Sequence, residues 1–116
     1  MRNPFTVTGN IEIVKNGEIF LNQKRVELLR QVREHGSINA ASKELKMSYQ
    51  QAWFFIQQMN ELSPMPLVIR QRGGTNGGGA SLTRFGERAI SEFELLVNQH
   101  DAYKGDLSGK LWLCSF

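Results

Sequence analysis

The residues best suited to chemistry lie in one segment, RQRGGTNGGGASLTR, which spans residues 70–84. Five of the chain's eleven glycines fall within seven consecutive positions here, with Arg70 and Arg72 before them and Arg84 after them. Glycine leaves backbone N–H groups uncovered, and guanidinium groups pair readily with phosphate, so both features suit an anionic ligand. Such a segment can be a flexible linker, a phosphate-binding loop or the tip of a β-hairpin.

The glycine segment does not match the nucleotide-binding motifs. A Walker loop requires G-x-x-x-x-G-K-[ST], and Gly74 and Gly79 have that spacing, but Ala80 stands where the lysine must be. The pattern GxGxxG fails as well. A linker between domains is a poor alternative, because the chain continues at once into LTRFG, which completes a hairpin and begins a helix. The pattern therefore favours a hairpin tip whose backbone can approach phosphate closely.

No other set of residues predicts catalysis or a metal site. His35 and His100 are far apart in the chain, and the sequence contains neither HExxH nor Cys and His at ligand spacing. Asp101 follows His100, but adjacent residues point to different faces of a helix, so we interpret His100 as a packed interface residue. The single Cys114 cannot form an internal disulfide, which fits the cytoplasm. We therefore expect no enzymatic activity, no metal and no cofactor.

Positive charge is concentrated around the glycine segment. The 116-residue chain has a net charge of +3, and residues 63–88 alone carry four arginines against one glutamate. Clustered arginine suggests a polyanionic partner, although a solvated charged surface is an alternative explanation. With 41% apolar and 22% charged residues, the composition is that of a folded, soluble protein. The sequence has no signal peptide and no apolar run near the ~20 residues that span a membrane, so we expect a cytoplasmic protein.

Local signals predict the elements that carry these residues. The stretch IEIVKNGEIFL predicts a β-hairpin that turns at Asn16-Gly17. Asn22 is a suitable N-cap and Gly36 a suitable C-terminal stop for a first helix over residues 23–35.

A helix-turn-helix is predicted next, over about residues 37–62. Ser37 caps a short helix, and Ser48 with Gln51 forms a capping box for a longer one. Lys46 occupies the turn where such motifs usually have glycine, at a cost of about 1 kcal/mol. The residues expected to pack the two helices together are Ala41, Ser42, Leu45, Met47, Ala52, Phe55, Ile56 and Met59.

Strands on either side of the glycines and a long last helix complete the chain. The strands form a wing over about 67–83, and Thr83 caps a helix predicted for about 84–104. We therefore predict a single domain over residues 1–116 that is mainly α with small β-hairpins. Its architecture is a winged helix-turn-helix with an N-terminal hairpin and a long C-terminal dimerisation helix.

The outward face of the third helix carries groups that can read DNA. Glutamine pairs with adenine, and aromatic rings contact thymine methyl groups. Gln51 can instead serve only as a capping residue, Trp53 can pack at the helix edge, and Phe54 either meets a partner or folds back onto the hairpin. The residues predicted to contact double-stranded DNA are Ser37, Lys43, Lys46, Ser48, Tyr49, Gln50, Gln51, Trp53, Arg70, Arg72, Thr75, Asn76 and Arg84.

The last helix has a longer apolar stripe than one small domain can cover, which predicts a homodimer on a palindromic operator. The residues predicted for the dimer contact are Ile90, Phe93, Leu96, Val97, His100 and Tyr103.

The alternative to DNA binding is a winged-helix module that binds protein through Trp53 and Phe54. DNA binding would weaken steeply with salt, whereas an aromatic protein contact would not.

Residues 36–90 resemble the N-terminal DNA-binding domain of the ModE family of molybdate-responsive transcriptional regulators, which is itself akin to the LysR-type winged helix. The motifs that carry the resemblance are GSI at 36, SY at 48, AW at 52, MNEL at 59, PLV at 66, the glycine loop and LTRFG at 82. The resemblance implies a dimer with the third helix in the major groove. ModE proteins continue into a molybdate-binding region, and this chain ends at residue 116. We therefore expect no direct molybdate sensing, and a partner protein can carry the sensor function.

Overall fold

The computed structural model describes residues 4–71 and 79–116 and has the predicted fold class. Four helices and two antiparallel hairpins follow one another in the order of a winged helix. The elements are β1 (Ile13–Lys15), β2 (Glu18–Leu21), α1 (Gln23–His35), α2 (Ile38–Glu44), α3 (Tyr49–Leu62), β3 (Val68–Gln71), β4 (Gly79–Leu82), α4 (Arg84–Gly109) and a 3-10 turn (Trp112–Ser115).

Each helix begins at the polar residue that the sequence predicts. The side chain of Asn22 accepts a hydrogen bond from the backbone N–H of Arg25, which starts α1. Hydroxyl groups of Ser37, Ser48 and Thr83 accept equivalent bonds at the starts of α2, α3 and α4. These caps satisfy N–H groups that the helices cannot satisfy internally, so they fix where each helix begins.

The two hairpins have different roles in the fold. β1 and β2 turn at Asn16 and Gly17, whose φ angles of 53° and 79° are those of the predicted tight turn. β3 and β4 pair with Val68 opposite Leu82 and form the base of the wing. Residues 72–78, which include most of the glycine segment, lie outside the described residues.

The core lies between α1, α3 and the first half of α4. Leu28, Leu29 and Val32 of α1 are fully buried. Other buried apolar residues complete this core, namely Leu21, Val26, Ile38, Ala41, Ala52, Ile56, Met59, Leu67, Val68, Ala80, Ile90 and Phe93. Ion pairs from Arg30 to Glu94 and from Arg33 to Glu87 join α1 to α4 at its edge.

The second half of α4 is covered by the start of the chain. The N–H of Val7 donates to the hydroxyl of Ser108 over 2.7 Å, and Lys104 donates to the carbonyl oxygen of Gly9 over 3.0 Å. Gly9 also lies against the ring of His100. We call residues 4–11 the N-terminal strap. Helix α4 continues to Gly109, beyond its predicted end near residue 104, and the strap packs along this extension.

Candidate nucleic-acid interface

Helix α3 presents one polar and aromatic face to solvent. Ala52, Ile56 and Met59 are buried, as predicted, and Phe55 is half-buried. The opposite face is therefore turned outward, with its N-terminal end beside the turn that follows α2. Its exposed residues are Tyr49, Gln50, Gln51, Phe54 and Gln57.

The turn before α3 contains a strained lysine, as the sequence predicts. Lys46 has a φ of 56°, in the left-handed region that favours glycine. Its N–H donates to the carbonyl of Lys43, and the N–H of Met47 donates to that of Ser42, so the backbone of the turn is well bonded. The side chains of Lys43 and Lys46 both remain exposed near the start of α3.

A buried arginine on α1 holds the inner side of α3. Arg25 donates to the carbonyl of Ile19 and to the side-chain oxygen of Gln58, at 2.5 and 2.6 Å, and its guanidinium lies 4.8 Å from the ring centre of Phe55. Burial lowers the pKa of Arg25, and the charge of Glu12 opposes that shift. The Nε atom has no hydrogen-bond partner within the described part of the chain. No sequence signal marks this residue, because an arginine in the first turn of a helix is usually solvated.

Lys15 of the N-terminal hairpin binds the other end of α3. Its ammonium group donates to the carbonyl of Leu62 over 2.7 Å. The last turn of α3 has no basic residue of its own, so this lysine supplies the positive charge that a helix C-terminus favours. The hairpin thus helps to fix the position of α3.

Wing strand β3 contacts the outer face of α3 through Arg70. The guanidinium carbon of Arg70 lies 4.7 Å from the ring centre of Trp53, and its Nη2 lies 3.5 Å from the hydroxyl oxygen of Tyr49. The structure thus brings together three residues that the sequence predicts to contact DNA. Trp53 is half-buried and packs against the core, at the helix edge.

Asn60 fixes the connection between α3 and the wing. Its side-chain oxygen accepts from the N–H groups of Leu67 and Val68 at 2.8 and 3.3 Å, and its amide donates to the carbonyl of Val68. Thr83 adds a hydrogen bond to the carbonyl of Pro66. The wing base is therefore anchored to the C-terminal end of α3 as well as to its outer face.

The remaining predicted DNA contacts are spread around this face. Ser37 and Ser48 serve as N-caps, and Ser48 bonds the backbone N–H of Gln51. Phe54 is 56% exposed, so its side chain faces outward and does not fold back onto the hairpin. Arg84 is exposed at the start of α4. The predicted contacts Arg72, Thr75 and Asn76 lie outside the described residues.

The structure places the residues predicted for the dimer contact in different environments. Ile90 and Phe93 are 2% and 1% exposed because they face the core of their own protomer, so their side chains are not available to a partner. Val97 packs against the same core, and the strap lies over His100. Leu96 is half-buried, and Tyr103 is 59% exposed. The sequence shows that this stripe is apolar but not that the same chain covers it.

Residues 4–71 and 79–116, which the structure describes, contain no group of His, Cys, Asp or Glu side chains arranged to hold a metal ion. None of the helices formed by these residues is long and apolar enough to cross a membrane.

Comparison with known proteins assigns the arrangement to a family. The family of bacterial regulatory helix-turn-helix proteins of the lysR type matches residues 23–87. The match begins at α1, includes the helix-turn-helix and the wing base, and ends in the first turn of α4. The chain belongs to this family.

The family relatives include the ModE proteins that the sequence motifs resemble. The transcriptional regulator ModE of Haemophilus influenzae is 46% identical over 78 residues, 67% of this chain and 31% of that protein. The molybdenum transport protein ModE of Azotobacter vinelandii is 40% identical over 91 residues, 78% of this chain and 34% of its own. The DNA-binding transcriptional dual regulator ModE of Escherichia coli K12 is 43% identical over 80 residues, 69% of this chain and 30% of its own.

A solved structure supports the fold assignment. The crystal structure of a LysR family transcriptional regulator has a TM-score of 0.55 and 26% identity, covering 74% of this chain and 30% of that one. This chain thus spans about a third of the length of the proteins that it matches. The resemblance to the ModE DNA-binding domain is confirmed for that part.

Proposed function

We propose that this protein is a DNA-binding transcriptional regulator, which binds as a dimer with residues 48–62 in the major groove and the glycine-rich wing on the backbone or minor groove. The observation that carries the proposal is the exposed N-terminal face of α3, flanked by basic residues, in a chain of the lysR family. Recognition helices contact bases mainly through their first residues. We call α3 the recognition helix.

Each part of this face has a distinct role in the proposal. Gln50 is exposed in the first turn of the recognition helix and can pair with adenine N6 and N7. Lys43 and Lys46 lie beside the helix start and suit phosphate contacts, as does Arg84 at the start of α4. Backbone N–H groups at helix starts also attract phosphate.

The proposed dimer uses the side of α4 that the protomer leaves open. Leu95 and Tyr103 are 56% and 59% exposed, and Ala102 is exposed between them. Such exposed apolar side chains on a long helix favour contact with a second copy. A two-fold dimer would bind two half-sites one helical turn apart, which implies a palindromic operator. The proposal also includes a cytoplasmic location.

The alternative function, protein binding through Trp53 and Phe54, has less support. The ring of Trp53 is covered by the guanidinium group of Arg70, so the two aromatic residues do not form a continuous apolar patch. The relatives are also named as transcriptional regulators.

Selection of bound duplexes from a random DNA pool tests the proposal. We expect enrichment of a two-fold palindrome, and binding whose log K falls with log salt by ~0.9 per phosphate contacted. The alternative function would be favoured if no DNA sequence is enriched and the chain instead binds a partner protein with an affinity that does not depend on salt.

A further inference from the structure

We propose that Trp53 is a positioning residue that holds the guanidinium group of Arg70 beside the recognition helix, where Arg70 binds a DNA phosphate. The inference rests on the proposed function and deepens it. It changes the expected role of Trp53 from base contact to support for a phosphate contact.

The geometry of the pair carries the inference. The guanidinium carbon of Arg70 lies 4.7 Å from the ring centre of Trp53, within the ~6 Å of a cation–π contact. The hydroxyl of Tyr49 lies 3.5 Å from Nη2 at the edge of the same group. Arg70 belongs to β3 and the two aromatic residues to α3, so the contact joins the wing to the recognition helix.

The contact with Trp53 leaves the guanidinium group able to bind an anion. The group has N–H donors along its edges, and the hydroxyl of Tyr49 lies near one of them, at Nη2. The side chain of Arg70 is exposed, so the other donors remain open to solvent and to DNA. An arginine already held in place loses less side-chain entropy when it binds a phosphate.

The same contact limits what Trp53 can do directly. One face of its ring is occupied by Arg70, and the side chain packs against the core on its inner side. Neither surface is then open to a thymine methyl group. Phe54, which is 56% exposed on the next position, has the open ring instead.

The test is a double-mutant cycle on the operator selected above, measured over a range of salt concentrations. The variants are Arg70→Ala, Trp53→Met and the double variant, with Lys110→Ala as a control at an exposed cation at the far end of α4. Methionine keeps an apolar side chain against the core but has no ring. Trp53→Phe keeps a ring and serves as the conservative variant.

We expect Arg70→Ala to weaken binding about tenfold and to lower the salt slope by ~0.9, the value for one phosphate. Trp53→Met should weaken binding roughly twofold to fivefold on all sequences, with an unchanged salt slope. Trp53→Phe should keep most of the wild-type affinity. In the Arg70→Ala background, Trp53→Met should cause no further loss. The control should leave the slope as in the wild type.

A full additional loss from Trp53→Met in the Arg70→Ala background would overturn the inference, as would a loss confined to one base pair. A wild type that binds no duplex would overturn the proposed function itself, and the inference with it.

A measurement without DNA separates the two cases. The chain has two tryptophans, so Trp112→Phe leaves Trp53 as the only source of tryptophan fluorescence. Arg70→Ala in that background should increase quenching by acrylamide, and unchanged quenching would overturn the contact between Arg70 and Trp53.

Discussion

At the scale of single residues, two glycines on α4 have opposite environments. A Cβ atom on Gly86 would overlap the carbonyl oxygen of Leu67 and would lie 2.7 Å from a side-chain carbon of Leu82. A Cβ atom on Gly105 would have no atom within 4 Å. The first turn of α4 therefore lies directly against the wing base, whereas Gly105 lies on an open part of the helix.

Gly86→Ala should destabilise the protein by roughly 1–3 kcal/mol, because backbone must move to admit the methyl group. Gly105→Ala is the matched control and should stabilise by up to ~1 kcal/mol, because alanine favours a helix. Urea unfolding measures both values. Equal effects at the two positions would contradict the close contact at Gly86.

Gln50→Ala should relax the sequence preference at one base pair of the operator. One glutamine–adenine pair contributes about 1–3 kcal/mol of discrimination, or roughly five- to 150-fold in affinity. Gln57→Ala is the control, since Gln57 is exposed two turns farther along the helix. Repeating the DNA selection with both variants measures the preference. If Gln50→Ala leaves the sequence preference unchanged, the recognition helix does not have the orientation in the major groove that we propose.

At the scale of elements, the position of the recognition helix depends on contacts from several other elements. Lys15 binds its C-terminal end, Arg25 its inner side, and Arg70 its outer face. Asn60 then connects it to the wing. The two parts that meet DNA in the proposal are thus fixed relative to each other.

Asn60→Ala should destabilise the protein by about 2–3 kcal/mol, because it leaves buried backbone groups of Leu67 and Val68 without their partner. Asn60→Asp keeps the oxygen that accepts from both N–H groups but places a carboxylate near the carbonyl of Val68. It should have a smaller effect than alanine. Thermal unfolding measures the two variants, and a neutral Asn60→Ala would contradict the anchoring role.

The elements could be predicted from sequence because each has a local signal. Asn22, Ser37, Ser48 and Thr83 cap helices through neighbours three positions away, and such short-range bonds can be read directly. The partners of Arg25 are far apart in the chain, so no local pattern reveals them. The apolar stripe of α4 predicts a dimer from the sequence but does not show what covers it, since such a stripe can pack against its own domain or against another copy.

At the scale of the whole molecule, α4 gives the protein its elongated shape, with a longest dimension of 63 Å. The inner side of the helix packs first on the core and then under the N-terminal strap. Leu95, Ala102 and Tyr103 remain exposed. A dimer of this chain should therefore form through these residues rather than through Ile90 and Phe93.

Leu95→Glu should convert the protein from dimer to monomer, because a buried, unpaired carboxylate is costly at an apolar contact. It should also reduce binding to the palindrome much more than binding to a half-site. Val14→Glu is the control, since Val14 on β1 is 53% exposed and Leu95 is 56% exposed. Sedimentation velocity measures the assembly. A monomeric wild type, or a dimer that persists in Leu95→Glu, would contradict this interface.

In the proposed dimer, the N-terminal strap should also limit the number of copies that assemble. A long helix with exposed apolar residues on two sides can bind another copy on each side. Such contacts can lead to open-ended assembly into a filament. Here one side of α4 is already occupied along the strap by hydrogen bonds to Ser108 and from Lys104. In the proposed dimer, two copies should therefore contact each other through the open side of α4, and assembly should stop at a closed pair.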